Sequence, residues 1–297
     1  MDKFETVLWQ VNFERNRNWL NAIHLLEDYM KEAGPTSAAY EEIGSILASR
    51  KLFKRGIDMY QKALDLTPDN QDLLFKIGNA YLSIGELGIA LYYYNKISDP
   101  YPEVLYNKAI VLGRQNRAEE CAEILQDLLE QGTDSELPYY FLVEQLIAQK
   151  LYDRALEYLN RCEQQFGLSG RTSFLRGVCH TYNQHWLKAY IEFQRAEKTN
   201  FRTAGFFRAY GIACEKIGKT EPAIEYLLES IKIEPFTIAT YLDLINIYIA
   251  HERLLEAHRI VEHAKQIGPF SSALSLIHSK ILHLIRTQYG SLDILDQ

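Results

Sequence analysis

Eight small side chains recur in one register along this 297-residue chain: Ala22, Gly56, Ala90, Cys121, Ala155, Ala189, Ala223 and Ala257. Each lies 34 residues from the next except Ala90 and Cys121, which are 31 apart. Twelve positions upstream a second register holds Gly44, Gly78, Ala109, Gly177 and Gly211, with Gln10, Val143 and Ile245 in the other units. A fixed period of this length marks a solenoid, in which each unit buries its apolar face only against its neighbours. Counting units from 3, 37, 71, 102, 136, 170, 204 and 238 places the two registers at positions 20 and 8. An array also resolves the length, since about 300 residues is where a single compact core stops growing.

Inside a unit the apolar spacing is helical. Leu74, Ile77 and Tyr81 are followed by Ala90, Tyr94 and Ile97, with a break at Gly85-Glu86. Each unit therefore reads as two antiparallel helices, A and B, which the small residues at 8 and 20 allow to approach closely. Gly85 falls where helix A stops, a place that favours the left-handed conformation. Pro68, Pro235 and Pro269 share position 32, where helix B must end. No strand precedes the glycines of 73–97 and no Gly-Lys-Ser/Thr follows them, so they do not form a phosphate loop.

Unit 37–70 carries Tyr40, Ile43, Gly44, Leu47, Gly56, Tyr60, Ala63 and Pro68 at positions 4, 7, 8, 11, 20, 24, 27 and 32. In this pattern the chain resembles the tetratricopeptide repeat family over residues 3–271. The resemblance implies an all-α fold: an α-solenoid, a right-handed superhelix of about eight helix-turn-helix repeats. Residues 272–289 are expected as a C-terminal capping helix and 290–297 as a flexible tail.

Charge and motif content exclude several classes of function. The net charge is −7, with 15 Lys+Arg against 23 Asp+Glu in residues 1–150 and 17 against 16 in the rest. An acidic chain without a dense basic run argues against nucleic acid or an anionic membrane as partner. The N-terminal segment lacks a basic region followed by a long apolar run, and no stretch approaches about 18 consecutive apolar residues. A cytoplasmic location is the expectation. Cys121, Cys162, Cys179 and Cys214 match neither a metal pair nor a short disulfide framework and are expected to be buried. His258 and His263, like His278 and His283, are five apart, not the spacing that puts two imidazoles on one helical face. With no nucleophile elbow or nucleotide fingerprint either, no catalytic, metal or cofactor residue is expected and the chain reads as a non-enzyme.

What remains is a binding surface. The resemblance implies a concave groove lined by helix A at positions 2, 5, 9, 12 and 13. Position 5 runs Val7, Glu41, Phe75, Tyr106, Tyr140, Phe174, Arg208 and Leu242, aromatic in four consecutive units. The candidate groove set is Phe75, Asn79, Tyr106, Asn107, Tyr140, Glu144, Phe174, Val178 and Tyr182, and the expected role is a scaffold that binds a peptide or protein segment there. Packing against adjacent helices is the competing role for these rings. If they line the groove, replacing Tyr106 and Tyr140 by Ala abolishes partner capture with little change in melting. Asn79 and Asn107 also match the two asparagines of the co-chaperone carboxylate clamp, but Phe75, Leu137 and Phe141 stand where that clamp needs basic residues.

Two alternatives to the groove scaffold follow from the ends and from the groove itself. Phe4, Val7, Leu8 and Val11 at one end and Leu274, Ile277, Ile281, Leu284 and Ile285 at the other suggest a homo-oligomer assembled through apolar terminal helices. Burial of these residues on the neighbouring repeat is the opposing outcome. An enzyme with a site in the groove is the remaining alternative.

Overall fold

A computed structural model describes residues 3–267 and 272–290; Pro269 and positions 291–297 of the expected tail lie outside the described residues. The described residues form seventeen helices and no strand. Sixteen pair as hairpins: α1 (Lys3–Glu14) with α2 (Trp19–Ala33), α3 (Ser37–Ser49) with α4 (Phe53–Leu66), α5 (Gln71–Ile84) with α6 (Leu87–Asn95), and α7 (Pro102–Arg114) with α8 (Ala118–Gln131). The series continues with α9 (Leu137–Ala148) and α10 (Tyr152–Phe166), α11 (Gly170–Tyr182) and α12 (Trp186–Lys198), α13 (Ala204–Lys216) and α14 (Thr220–Ile233), and α15 (Ile238–Ala250) and α16 (Leu254–Ile267). A seventeenth helix, α17 (Ser272–Tyr289), follows alone. The chain divides into two compact units, Met1–Pro138 and Tyr139–Gln297.

Backbone geometry sets the sharp A-to-B turn. Position 15 has a positive φ in seven repeats: Lys51, Gly85, Asn116, Lys150, Gln184, Gly218 and Glu252, between 57° and 85°. The next residue's N–H then reaches back five residues, as in Leu52 to the Leu47 carbonyl, Glu86 to Tyr81, Arg117 to Leu112, Leu151 to Leu146, His185 to His180, Lys219 to Cys214 and Arg253 to Tyr248. This hydrogen bond satisfies a carbonyl that the helix end would otherwise leave open. Only Gly85 and Gly218 occupy the left-handed position without steric cost. At the other end of the A helices, side chains accept from the first free N–H groups: Thr36 from Ala39, Asn70 from Leu73, Ser169 from Thr172 and Thr203 from Phe206. The three-residue deletion falls on helix B of the third repeat, which is cut to nine residues. Pro102 then opens α7, where the missing N–H costs nothing.

Helices A and B of a repeat meet where position 24 lies over position 8. A Cβ added at Gly44 would stand 2.6 Å from the Tyr60 ring, one at Gly78 2.5 Å from Tyr94, and one at Gly177 2.3 Å from Phe193. At Gly211 the nearest atom, at 2.9 Å, belongs to Leu227. Repeats with a larger residue at position 8 carry a smaller one at 24: Gln10 with Leu26, Ala109 with Leu125, Val143 with Leu159, and Ile245 with Val261. All eight side chains at position 24 are buried. Rings at position 24 thus occur only over glycine at position 8, whereas leucine lies over glycine, alanine, valine or glutamine.

Both ends of the described chain are packed on their neighbours. Leu274, Ile281 and Ile285 of α17 are buried, and Ile277 and Leu284 are half-buried against the same core. At the start Val11 is buried, with Phe4 and Val7 packed beside it. This burial removes most of the apolar surface on which end-to-end assembly was expected to rest. Trp9 and Phe13 of α1, their rings 6.2 Å apart, remain exposed. The four cysteines are buried, and loss of hydration raises the thiols of Cys121 to about 11 and of Cys179 and Cys214 to about 12. None of these three is therefore a thiolate at neutral pH.

The volume balance predicts a specific coupling. Gly177→Ala should cost roughly 1–3 kcal/mol, whereas Gly205→Ala, with open space at its Cβ, should be neutral or stabilising by up to about 1 kcal/mol. Adding Phe193→Leu to Gly177→Ala should recover about 1 kcal/mol relative to the sum of the single changes. Urea denaturation of the four variants and wild type measures this, and strict additivity would refute the shared-volume account.

Candidate functional site

Within each compact unit, successive A helices stand side by side and are joined by polar side-chain rungs. In the first unit Glu41 of α3 pairs with Lys76 of α5, and Asn79 of α5 accepts from Asn107 Nδ2 of α7 at 2.8 Å. In the second unit Arg171 of α11 pairs with Glu144 of α9 at 2.8 Å, and Arg208 of α13 with Asp243 of α15 at 2.6 Å. These residues occupy positions 2, 5, 6 and 9 of helix A, and their exposure keeps each pair to well under 1 kcal/mol of stability. The face they define is polar, in contrast to the aromatic stripe expected from position 5.

The position-5 rings turn into the packing between repeats. Phe75 meets Tyr94 and Tyr101 at ring-centroid distances of 6.2 and 5.4 Å. Phe174 is surrounded by Phe193, Phe201 and Phe206. Tyr140 is only 3% exposed; its hydroxyl hydrogen-bonds Ser169 and Thr172, and the Arg171 guanidinium lies 4.5 Å above its ring. Tyr140 is therefore core, and the expectation that its removal would leave melting unchanged is corrected: a buried ring filling the space between α9 and α11 cannot be deleted without leaving a cavity. Val178 is half-buried against the core, and Glu144 is tied to Arg171. Tyr182 stays 58% exposed with its ring stacked on Tyr152 at 5.2 Å.

Three places on the A-helix face keep binding potential. Asn79 Oδ1 takes the Tyr94 hydroxyl proton at 2.7 Å as well as the Asn107 amide, while Asn79 Nδ2 and Asn107 Oδ1 make no hydrogen bond among the described residues. That leaves one donor and one acceptor on adjacent helices. Burial pushes the Tyr94 phenol well above its usual range, so it remains a donor. Tyr106 walls a small, mainly apolar cleft of about 200 Å³ with Pro102, Leu128, Leu137 and Pro138. A cleft of about 280 Å³ between α13 and α15 has Ile212, Ile247 and Ala250 with Glu215, Lys216 and Asp243. No aromatic residue marks this last cleft in the sequence, although Ile212 and Lys216 stand at helix-A positions 9 and 13. His258 and His278, twenty residues apart and on different helices, come together between α16 and α17, which no spacing along one helix reveals.

A family description of the tetratricopeptide repeat matches residues 37–70. The fold of the chain is that of solved structures of the same kind. A chain of the Cut9–Hcn1 hetero-tetramer of the APC/C superposes with a TM-score of 0.61 and 17% identity over 93% of this chain and 55% of that one. The chain thus spans about half the length of that relative. A tetratricopeptide repeat protein from Parabacteroides merdae gives 0.58 at 14% identity, over 83% of this chain and 98% of the other. PilF of Pseudomonas aeruginosa gives 0.59 at 16%, over 70% and 95%. Residues 37–70 match a tetratricopeptide repeat, and the described residues share the fold of tetratricopeptide repeat structures. No curated protein matches the chain's sequence. As in other arrays of hairpin repeats, the fold supplies a scaffold suited to protein–protein interaction. No helix among the described residues is long and apolar enough to cross a membrane.

The burial of Tyr140 yields a test. Tyr140→Ala should lower stability by about 3–5 kcal/mol, and Tyr140→Phe by about 1–3 kcal/mol through loss of the hydroxyl contacts to Ser169 and Thr172. Thermal and urea melts would show this; an unchanged midpoint for Tyr140→Ala would return that ring to the binding surface.

Proposed function

We propose that this protein is a non-enzymatic adaptor that holds an extended segment of a partner protein along the A-helix face of residues 71–138. The observation that carries the reading is the Asn79–Asn107 pair, which presents an amide N–H and an amide carbonyl side by side. A peptide backbone offers the complementary pair, so the two asparagines fit one peptide unit without regard to its side chain. Tyr106 and the cleft beside it would then take an apolar side chain of the ligand. Phe75, Leu137 and Phe141 leave no cationic clamp for a terminal carboxylate, which favours an internal segment. Glu144, Phe174, Val178 and Tyr182, on A helices of the second unit, would offer a contact surface of their own, with Tyr182 the most exposed of them and Tyr140 excluded by its burial.

Self-association is a second reading, favoured by the exposed pair Trp9 and Phe13 on α1. The Cut9–Hcn1 relative assembles as a hetero-tetramer, and a similar use of this scaffold would join it to a different chain. A cytoplasmic, cofactor-free role accompanies the adaptor reading.

Two substitutions separate binding from folding. Asn107→Ala removes the carbonyl, and Asn79→Asp keeps the acceptor for Tyr94 while deleting the donor. Each should retain wild-type helicity and weaken a captured partner by roughly tenfold, the loss of one or two hydrogen bonds. Affinity capture from native lysate with mass spectrometry, followed by titration of the retained protein, provides the measurement. Retention that is equal in both folded variants, or limited to copies of the chain itself, would overturn the groove reading.

A further inference from the structure

His258 and Glu262 are one helical turn apart on α16, so both side chains leave the same face. Helix α17 packs on α16 and brings His278 to them. His278 Nε2 lies 3.2 Å from His258 Nδ1 and 3.5 Å from Glu262 Oε1. One ligand atom from each of the three residues lies within 4.8 Å of the others. We propose that His258, Glu262 and His278 form a divalent transition-metal site, with Zn²⁺ as the natural ligand.

The spacing carries the assignment. A zinc ion holds imidazole nitrogen and carboxylate oxygen at about 2.0–2.2 Å, and a tetrahedral arrangement sets neighbouring ligand atoms about 3.3–3.5 Å apart. The two measured separations already match such an edge. Two imidazoles with one carboxylate suit zinc or cobalt, whereas calcium and magnesium take shells of oxygen. The His258 and His278 rings lie stacked at 5.1 Å, 29° from parallel, and a rotation about the soft terminal torsion of each ring aims both lone pairs at one point. Three protein ligands leave the fourth position to water.

The surrounding groups define what metal binding must displace. Lys265 Nζ donates to His278 Nδ1 at 2.7 Å and to Glu262 at 2.9 Å. A neutral His278 with its Nδ1 so occupied carries its proton on Nε2, aimed at His258 and Glu262. Binding releases this hydrogen-bonding arrangement: the Nε2 position is vacated for the metal, the ring keeps a single proton on Nδ1, and Lys265, one-third exposed, swings outward. Because two ligands come from α16 and one from α17, the ion would clamp the terminal helix to the last hairpin. Lys265 competes directly with the metal for Glu262 Oε1 and, through His278 Nδ1, holds that ring in the non-ligating tautomer.

The full chain, freed of metal with EDTA, is titrated with Co²⁺ while visible absorption is recorded, and with Zn²⁺ by calorimetry. About one Co²⁺ per chain should bind with the intense bands of a four-coordinate ion, and Zn²⁺ should displace it. Zn²⁺ should also raise the melting temperature of wild type. His258→Ala and His278→Ala should each weaken zinc by tenfold or more, and Lys265→Gln should strengthen it by about tenfold, the scale on which second-shell partners act. His24→Ala, on exposed α2, should bind as wild type. If a histidine variant does not fold, Glu262→Gln replaces it, since its side chain is 44% exposed, and the same tenfold loss is expected. Absence of saturable binding, or zinc affinity unchanged in folded His258→Ala or Glu262→Gln, would overturn the site.

Discussion

The contact between position 8 of helix A and position 24 of helix B is the constraint on which the rest of the molecule depends. Where a ring occupies position 24, only a hydrogen atom fits beneath it: the Phe193 ring stands 2.3 Å from where a Gly177 Cβ would be. That approach brings the helix backbones together and commits position 20 to small residues, since Gly56 in turn faces the Gly44 carbonyl at 3.1 Å from its own added Cβ. With A and B held this closely, the apolar residues of each hairpin point both into the pair and toward the next pair. A unit of this kind has no complete core of its own, so its stability comes in large part from its neighbours. Burial of α17 on the preceding hairpin is the same requirement met at the end of the series.

Side-by-side A helices then decide the character of the exposed face. Their opposed polar side chains fall within salt-bridge or hydrogen-bond reach about one repeat apart in sequence, as in Glu41–Lys76 and Arg208–Asp243. Such pairs contribute little to stability where they are exposed, but they neutralise the face in register. Charge alone is therefore a poor guide to a ligand on this face. The asparagine pair differs because it is neutral and has capacity left over. An amide has two donors and a two-lone-pair acceptor, more than the Asn79–Tyr94–Asn107 network uses.

Much of the fold was legible in the sequence because its decisive contacts are steric and recur. Gly44, Gly78, Gly177 and Gly211 announce close approach wherever they appear, and the restriction of rings at position 24 to repeats with glycine at position 8 can be read from the chain itself. The turn after helix A was legible only in part. Its left-handed residue is Gly at 85 and 218 but Lys, Asn, Gln or Glu elsewhere, since a backbone hydrogen bond enforces the turn and leaves the side chain unrestricted. The site was less legible for a related reason. A ring at position 5 looks the same in sequence whether it faces solvent or the next repeat, and the partners that bury Tyr140, Ser169 and Thr172, lie 29 and 32 residues away.

The same displacement explains why the histidine cluster escapes a search along the helix. Metal motifs are recognisable when both ligands share one element, because an i,i+4 spacing alone fixes their distance. In a stack of hairpins the shortest path between side chains runs across helices, and residues some 13 to 36 apart become neighbours while residues five apart on one helix diverge. His258 finds His278 rather than His263, whose ring instead faces Tyr241 at 5.9 Å. Chemistry in such a fold therefore collects at seams between successive helices. A ligand that bridges the seam between α16 and α17 acts directly on the docking of α17. An interior seam is already fixed by the repeats on both flanks, and a bridging group there would have little left to hold.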